Sequence, residues 1–526
     1  MIQNKQRDYF TLLSTVFFCA TTFVFCTLLI CQPLTSLIVN LLPDDAFYYF
    51  KVAANIVSGY GITFDRLTPT NGFHPLWQLL LTMLFAVIHA SYSRIYAALA
   101  LGVIIAVGST AMFAKILQIL KVSGVGYVFC LALFALNPAL IYTVNGMETA
   151  VNIFALLWFM KQYLTLALNE NNVQSMTDYI WFGIAAGIVL LARLDNIFFV
   201  AFSFIFLFIP RYQAFKFFIL SGVVVIIILL PYLSWNYVTF HSIVPVSGKV
   251  GSVVDSYNYQ AAHAGATQPF LLRWHYFISR FQSTFVGLPL PLPLVKLAVL
   301  LLLVCIVLKR KAYSNTMLLA YILLPLWFGY LALVAYNAGV RMMFRPWYVF
   351  VGLPVLFVTL AMIVSKIDWL RKKGLKKITG AVILAILLNL ISFNSKAQSH
   401  TDIFQKELTP WSLSMYRAAI WLNQNLPGQR VGSFNSGIIG YFYTGTEVDL
   451  DGVVNNTAFQ YIKNKELMNY IKKAKIAYIA DFGYDMIKNW SSVMGKDYLN
   501  QLTVFWVMDP TYGQPVFNKF VVYSVK

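Results

Sequence analysis

Long apolar runs separated by short polar links occupy the first three quarters of the chain. They fall near residues 11–32, 94–118, 125–144, 148–167, 179–192, 195–209, 215–238, 293–308, 316–336, 346–365 and 378–394. Most approach the ~20 apolar residues that cross a hydrocarbon core of about 30 Å, so the pattern predicts about eleven transmembrane helices. A further apolar stretch, Pro75 to His89, is short and reads as an interfacial or re-entrant helix. The run from 179 to 209 is expected to turn at Arg193-Leu194-Asp195, because charged side chains are costly at mid-membrane and cheap at a surface turn. After about residue 394 the text changes to mixed polarity with turn residues. Ser414 to Asn425 has helical periodicity, and Arg430–Phe434, Glu447–Leu450 and Ile476–Ala480 read as strands. The expected fold class is an α-helical polytopic membrane protein over residues 1–394, with a small C-terminal α/β domain over 395–526.

Composition strengthens the first half of that reading. Hydrophobic residues make up 59% of the chain and charged residues 11%, more apolar surface than a soluble globular chain can bury. The net charge of +19 has no single basic face that would suit a nucleic acid, because Lys and Arg are scattered between apolar runs. It instead sets orientation. With Pro75–His89 not crossing, Lys115, Lys121, Lys161, Lys216 and the Lys366–Lys377 cluster lie on the side of Lys5 and Arg7, the cytoplasmic side. The loop 33–94, the turns at Asn145–Glu148 and Arg193–Asp195, the loop 239–291 and the C-terminal domain then face outward, which in a bacterial inner membrane is the periplasm. The five cysteines sit inside apolar stretches, without the spacing of a metal site or a disulfide framework.

The outward loops hold the candidate chemistry. Asp44 and Asp45 lie directly beyond the first span. Adjacent carboxylates in a partly dehydrated site raise one another's pKa and suit either cation binding or activation of a hydroxyl nucleophile. The alternative is that Asp45 caps a helix starting at Ala46 while Asp44 is simply solvated. Glu148, at the outer end of two apolar runs, reads either as a second acid of the same cavity or as the cap of the helix after it. The outward cations include Lys51, Arg66, Arg94, Arg193 and Lys249, with Arg273, Arg280, Arg341 and Arg345 further along. Such residues suit a lipid-linked phosphate or ordinary anionic headgroups. Gly432, Gly437 and Gly440 lack the GxGxxG spacing of a dinucleotide loop.

Several phrases together resemble a known group. The Asp44-Asp45 pair, the Tyr48-Tyr49 helix, the Gly59–Gly61 turn and His74-Pro75-Leu76 resemble the first outer loop of GT-C glycosyltransferases, in particular the protein O-mannosyltransferases and aminoarabinose transferases of glycosyltransferase family 39. Those enzymes have a basic residue before Pro-Pro-Leu; here one proline is missing and His74 stands in the basic position. Asn145–Glu148, Leu191–Asp195, Pro245–Lys249, Arg345–Tyr348 and Asp449–Asn455 are similar to further phrases of bacterial members. The resemblance implies transfer of a sugar from a polyprenyl-phosphate carrier to an acceptor at the outer face, with inversion. It makes Asp44 or Asp45 the base or acceptor-orienting carboxylate and Glu148 a second acid. It assigns His74, Arg94, Arg193 and Lys249 to the donor phosphate. It leaves open the sugar, the acceptor and any requirement for a divalent metal. The competing expectations are a multi-span transporter or lipid-linked sugar flippase, a polysaccharide polymerase or ligase, and a purely structural membrane protein.

Overall fold

The computed structural model describes residues 2–168, 175–209, 214–262, 313–337, 351–365, 377–386, 406–508 and 519–526. The chain opens with a 29-residue apolar helix, α1 (Ile2–Ile30). Three shorter helices follow in the first outer loop: α2 (Leu34–Asn40), α3 (Asp44–Val57) and α4 (Pro75–Val87). Then come α5 (Ser91–Ile119), α6 (Val125–Ala135), α7 (Thr149–Ala167), α8 (Met176–Ala192), α9 (Ile197–Phe208), α10 (Phe215–Phe240) and α11 (Ser247–Ala262). Apolar helices Tyr313–Ala335, Gly352–Val364 and Lys377–Ile386 complete this part.

Among the described residues, four helices are long and apolar enough to cross a bilayer: Asp8–Ile30 within α1, α5, α7 and α10. The protein is an integral membrane protein. Ile226, Ile227 and Leu230 of α10 are exposed, as lipid-facing residues are, while α8 packs along its other side. Helix α4, at 13 residues, is about 20 Å long and too short to cross. The expected run 125–144 is not one helix. It breaks after Ala135, where Asn137 accepts the Ala139 N–H at 2.9 Å and Pro138 opens a 3-10 turn. The run 179–209 does turn at Arg193, between α8 and a short 3-10 turn at Leu194–Asn196. The expected span 293–308, and the ends of those at 346–365 and 378–394, lie outside the described residues.

The C-terminal region is a five-stranded sheet in the order β2-β1-β3-β5-β4. β1 (Arg430–Ser433) pairs in parallel with β2 (Thr446–Asp449) and with β3 (Tyr478–Phe482). β5 (Phe520–Val525) runs antiparallel to β3 and β4 (Leu502–Val507). The amphipathic helix Lys406–Asn425 covers the sheet, with Trp411 stacked on Phe482 at 4.2 Å and Trp421 on Trp506 at 4.1 Å. Helix Ser436–Phe442 follows β1 and packs on α3. The carboxyl ends of the parallel strands therefore face the first outer loop, the position where open α/β sheets commonly place their functional groups.

Candidate functional site

Two acid-bearing layers meet on the outer side of the helices. The first is built around Glu148, whose side chain is 1% exposed. Glu148 is the N-cap residue of α7 but makes no side-chain cap. Its Oε1 instead accepts from Arg193 Nη1 at 2.6 Å and lies 3.5 Å from His74 Nε2, and its Oε2 accepts from the Tyr49 hydroxyl at 3.0 Å. Arg193 then grips Asp195 with a two-pronged bond, Nε to Oδ1 at 3.0 Å and Nη2 to Oδ2 at 2.8 Å. Burial pushes the Glu148 carboxyl up, but His74, Arg193 and the Tyr49 hydroxyl outweigh it and hold the pKa below the ordinary glutamate value.

Local sequence explains how four segments reach this point. Pro75 keeps His74 extended, at φ −86° and ψ 121°, so the imidazole sits at the mouth of α4. Trp77 donates its Nε1–H to the Gly146 carbonyl at 2.9 Å, and Gln78 donates to the Tyr49 carbonyl at 3.3 Å. Gly146 turns with φ +80°, and a Cβ there would stand 2.8 Å from the Phe50 ring. The turn 145–148 is thus pressed against α3 and α4.

The second layer joins the loop to the sheet. Asp44 Oδ1 accepts the Ile438 N–H at 2.6 Å and Oδ2 the Gly437 N–H at 3.1 Å. Asp44 therefore caps the N-terminus of helix Ser436–Phe442, where the peptide dipoles favour a carboxylate. Tyr48 bridges the Ser436 N–H at 3.3 Å and Asp451 Oδ2 at 3.5 Å. Asp449 accepts from Val454 N–H and the Ser436 hydroxyl, and Asp481 from Phe434 and Asn435 N–H. Burial, ahead of repulsion from Asp45, raises the Asp44 pKa to about 7; burial and then Asp449 push Asp451 well above its ordinary value. Asp45 is half-buried and close enough to both to repel them. Asn71 fastens the assembly: it donates to Asn236 of α10 at 2.9 Å and accepts from Asn456 at 2.9 Å and from Val246 N–H at 3.1 Å.

The expected site residues thus divide. Glu148, His74 and Arg193 share one network, and Asp44 and Asp45 lie in the adjoining layer. α3 begins at Asp44 with Pro43 as N-cap and no side-chain cap, so the reading of Asp45 as the cap of a helix from Ala46 does not hold. Arg94 turns elsewhere, donating to the carbonyls of Ile88 at 2.6 Å and Phe85 at 3.3 Å with its guanidinium over the Phe85 ring. Lys249 sits in a separate cavity beyond Asn71, hydrogen-bonded to the Ser242 hydroxyl. Sequence reasoning missed Tyr49, Asn71 and Asp451 as members of the site, although Tyr49 and Asp451 stand inside phrases it singled out. Among the described residues no group of three His, Cys, Asp or Glu side chains is arranged to hold a metal ion. Asp44 is turned to backbone amides and Glu148 to Arg193, so these residues do not fit a resident metal.

Residues 402–517 match a family described as a domain of unknown function (DUF8728). No curated protein sequence matches the chain. Solved structures match it along its whole length. The oligosaccharyltransferase of Archaeoglobus fulgidus, crystallised with Zn and sulfate, superposes with a TM-score of 0.53 at 14% identity, covering 95% of this chain and 74% of that one. ArnT from Cupriavidus metallidurans, bound to undecaprenyl phosphate, superposes at 0.51 and 11% identity, covering 98% of each chain. The chain has a GT-C glycosyltransferase fold. At these identities the likeness is one of fold. In this chain Asp44 meets the helix that follows β1, and His74 and Glu148 lie in the adjoining layer, joined to α3 through Tyr49.

Proposed function

We propose that the protein transfers a sugar from a polyprenyl-phosphate carrier to a hydroxyl-bearing acceptor (glycan, lipid or protein) at the periplasmic face of a bacterial inner membrane. The observation that carries this reading is the carboxylate layer of Asp45 and Asp451, held beside the buried Glu148 network in a chain with a GT-C fold. Asp45, half-buried and close to the Asp451 carboxylate, is the candidate base. Its carboxylate orients the acceptor hydroxyl and takes its proton as the oxygen attacks the anomeric carbon. The bond from that carbon to the phosphate oxygen breaks, the configuration inverts, and polyprenyl phosphate leaves with the electron pair. His74 supplies a hydrogen-bond donor to the leaving phosphate, while Arg193 holds Glu148 and Asp195 in place. ArnT bound to undecaprenyl phosphate supports the class of donor.

The test uses the purified full-length protein and a panel of polyprenyl-phosphate hexoses and pentoses. Transfer or donor hydrolysis by the wild type, lost at least a hundredfold in Asp45→Asn at equal membrane level, supports the reading. Full activity in Asp45→Asn removes Asp45 from the chemistry. No turnover of any donor overturns the reading in favour of a transporter.

A further inference from the structure

A cavity of about 730 Å³ opens where α10 ends and α11 begins, and its far wall is the C-terminal helix Asn456–Asn464. Lys249, Ser242 and Ser252 line it from the transmembrane side, and Lys463 and Gln460 from the C-terminal domain. The two lysines feel one another: burial and then the charge of Lys463 lower the Lys249 pKa. None of the described residues lining the cavity is a carboxylate that would neutralise them. Lys463 is exposed and Lys249 half-buried, so two ammonium groups converge on an open cavity whose described lining holds no acid, a setting that attracts an anion.

The walls are fixed relative to each other. The Tyr257 hydroxyl of α11 donates to the Lys463 carbonyl at 2.9 Å, and Lys465 lies over the Tyr257 ring at 4.3 Å. Asn71 binds Val246 N–H and Asn456, which precede Lys249 by about one helical turn and Lys463 by about two. The cavity also lies at the end of a helix long and apolar enough to cross a bilayer. It begins at Phe240 and His241, where the apolar α10 stops, and the neighbouring Tyr237, Val238 and Ile243 are exposed. Ser, Gln and paired Lys donors at the end of such a helix match a phosphate group carried on a lipid tail.

We propose that this cavity binds the phosphate of a membrane lipid between Lys249 and Lys463, so that the anion fastens the C-terminal domain to the transmembrane helices. The proposal rests on the sugar-transfer reading only for which lipid is bound, since a polyprenyl phosphate and an ordinary phospholipid headgroup present the same chemistry.

The experiment measures lipid binding to the delipidated full-length protein in detergent, with decaprenyl phosphate, dioleoylphosphatidylglycerol, decaprenol and inorganic phosphate as separate probes. The wild type, Lys249→Gln, Lys463→Gln and Lys463→Arg are compared after their lipid-free unfolding temperatures are shown to agree. We expect a phosphate-bearing lipid to bind and to protect the C-terminal domain from protease, with binding weakened at least about tenfold in each Gln variant and retained in Lys463→Arg. Whichever of decaprenyl phosphate and phosphatidylglycerol binds more tightly identifies the lipid. Wild-type affinity in Lys463→Gln overturns the proposal, as does equal binding of decaprenol or inorganic phosphate that matches the lipids. Absence of sugar transfer in a parallel assay bears on the enzyme reading and leaves this binding result standing.

Discussion

The Asp44 carboxylate accepts the N–H groups of Gly437 and Ile438, at 3.1 and 2.6 Å, although 393 and 394 residues separate the partners in sequence. The first acid of the loop after α1 therefore fastens the C-terminal domain, while the second is half-buried beside the Asp451 carboxylate. Asp44→Ala should release the helix Ser436–Phe442, while Asp45→Ala should leave it docked. Limited proteolysis of the purified protein distinguishes them: faster cleavage of the C-terminal domain in Asp44→Ala alone is expected, and equal resistance would show that the cap does not hold the domain.

Burial gives this junction a pH dependence. The pKa of Asp44 and of Asp481 is raised to about 7 and that of Asp449 to about 6, against unfolded values near 4. Between about pH 4 and 7 the folded state therefore binds more protons than the unfolded state, so stability falls as pH rises through that window. Thermal unfolding should occur at a higher temperature at pH 5 than at pH 8, and Asp44→Asn should reduce the difference. An unfolding temperature that rises from pH 5 to pH 8 would contradict the assignment.

Glu148 and Arg193 form a buried pair, 1% and 2% exposed. Removing one partner breaks part of a buried network: Arg193 keeps Asp195, and Glu148 keeps His74 and Tyr49, so the cost stays below the about 3–5 kcal/mol of an isolated buried pair. Arg193→Met and Glu148→Gln should each lower the unfolding temperature, with the double variant costing clearly less than the sum. Strict additivity would mean that the two side chains act independently.

His74 contacts the same glutamate from the exposed side of the network, with 23% of its side chain accessible. His74→Ala should weaken use of the lipid-phosphate donor more than use of the acceptor. Steady-state kinetics with each substrate varied in turn checks this, and equal loss for both would count against a phosphate contact.

Much of this arrangement is legible in the text of the chain, and the rest is hidden for definable reasons. Glu148, His74 and Arg193 stand out because ionisable residues beside apolar runs are rare, and the structure brings all three together. The break of α8 at Arg193 follows from the cost of a charge at mid-membrane. The break at Asn137-Pro138 carries an equally plain turn signal, outweighed by the apolar residues around it. β1, β2 and β3 fall where strands are expected, whereas β4 and β5, Leu502–Val507 and Phe520–Val525, are apolar runs with strand character that the reading passed over. No local pattern reveals that Asp44 faces Gly437, or that Asn71 faces Asn456, because nothing near either residue in sequence encodes a partner nearly four hundred positions away.

The glycines of the junction are a case of the same kind. A Cβ on Gly437 would stand 2.1 Å from the Asp44 carbonyl oxygen, and one on Gly72 would stand 1.9 Å from the Val453 carbonyl oxygen. Both glycines let backbone meet backbone, and for Gly437 the sequence disguises that packing role as a failed nucleotide loop. Gly72→Ala and Gly437→Ala should each push the C-terminal domain off the outer loop and lower activity and protease resistance together. Substitution at Gly380, where a Cβ would meet nothing within 4 Å, should do neither.

The span between Asp44 and Gly437 also sets an order of events during synthesis. At about 5–20 residues per second, the 393 residues between them take roughly 20–80 s to translate. Throughout that interval Asp44, Tyr48 and Asn71 have no C-terminal partners, and every later helix is inserted while the acid-bearing loop stays open. The carboxylate layer is complete only when the end of the chain arrives, so an interrupted or truncated copy carries the membrane helices without a finished site.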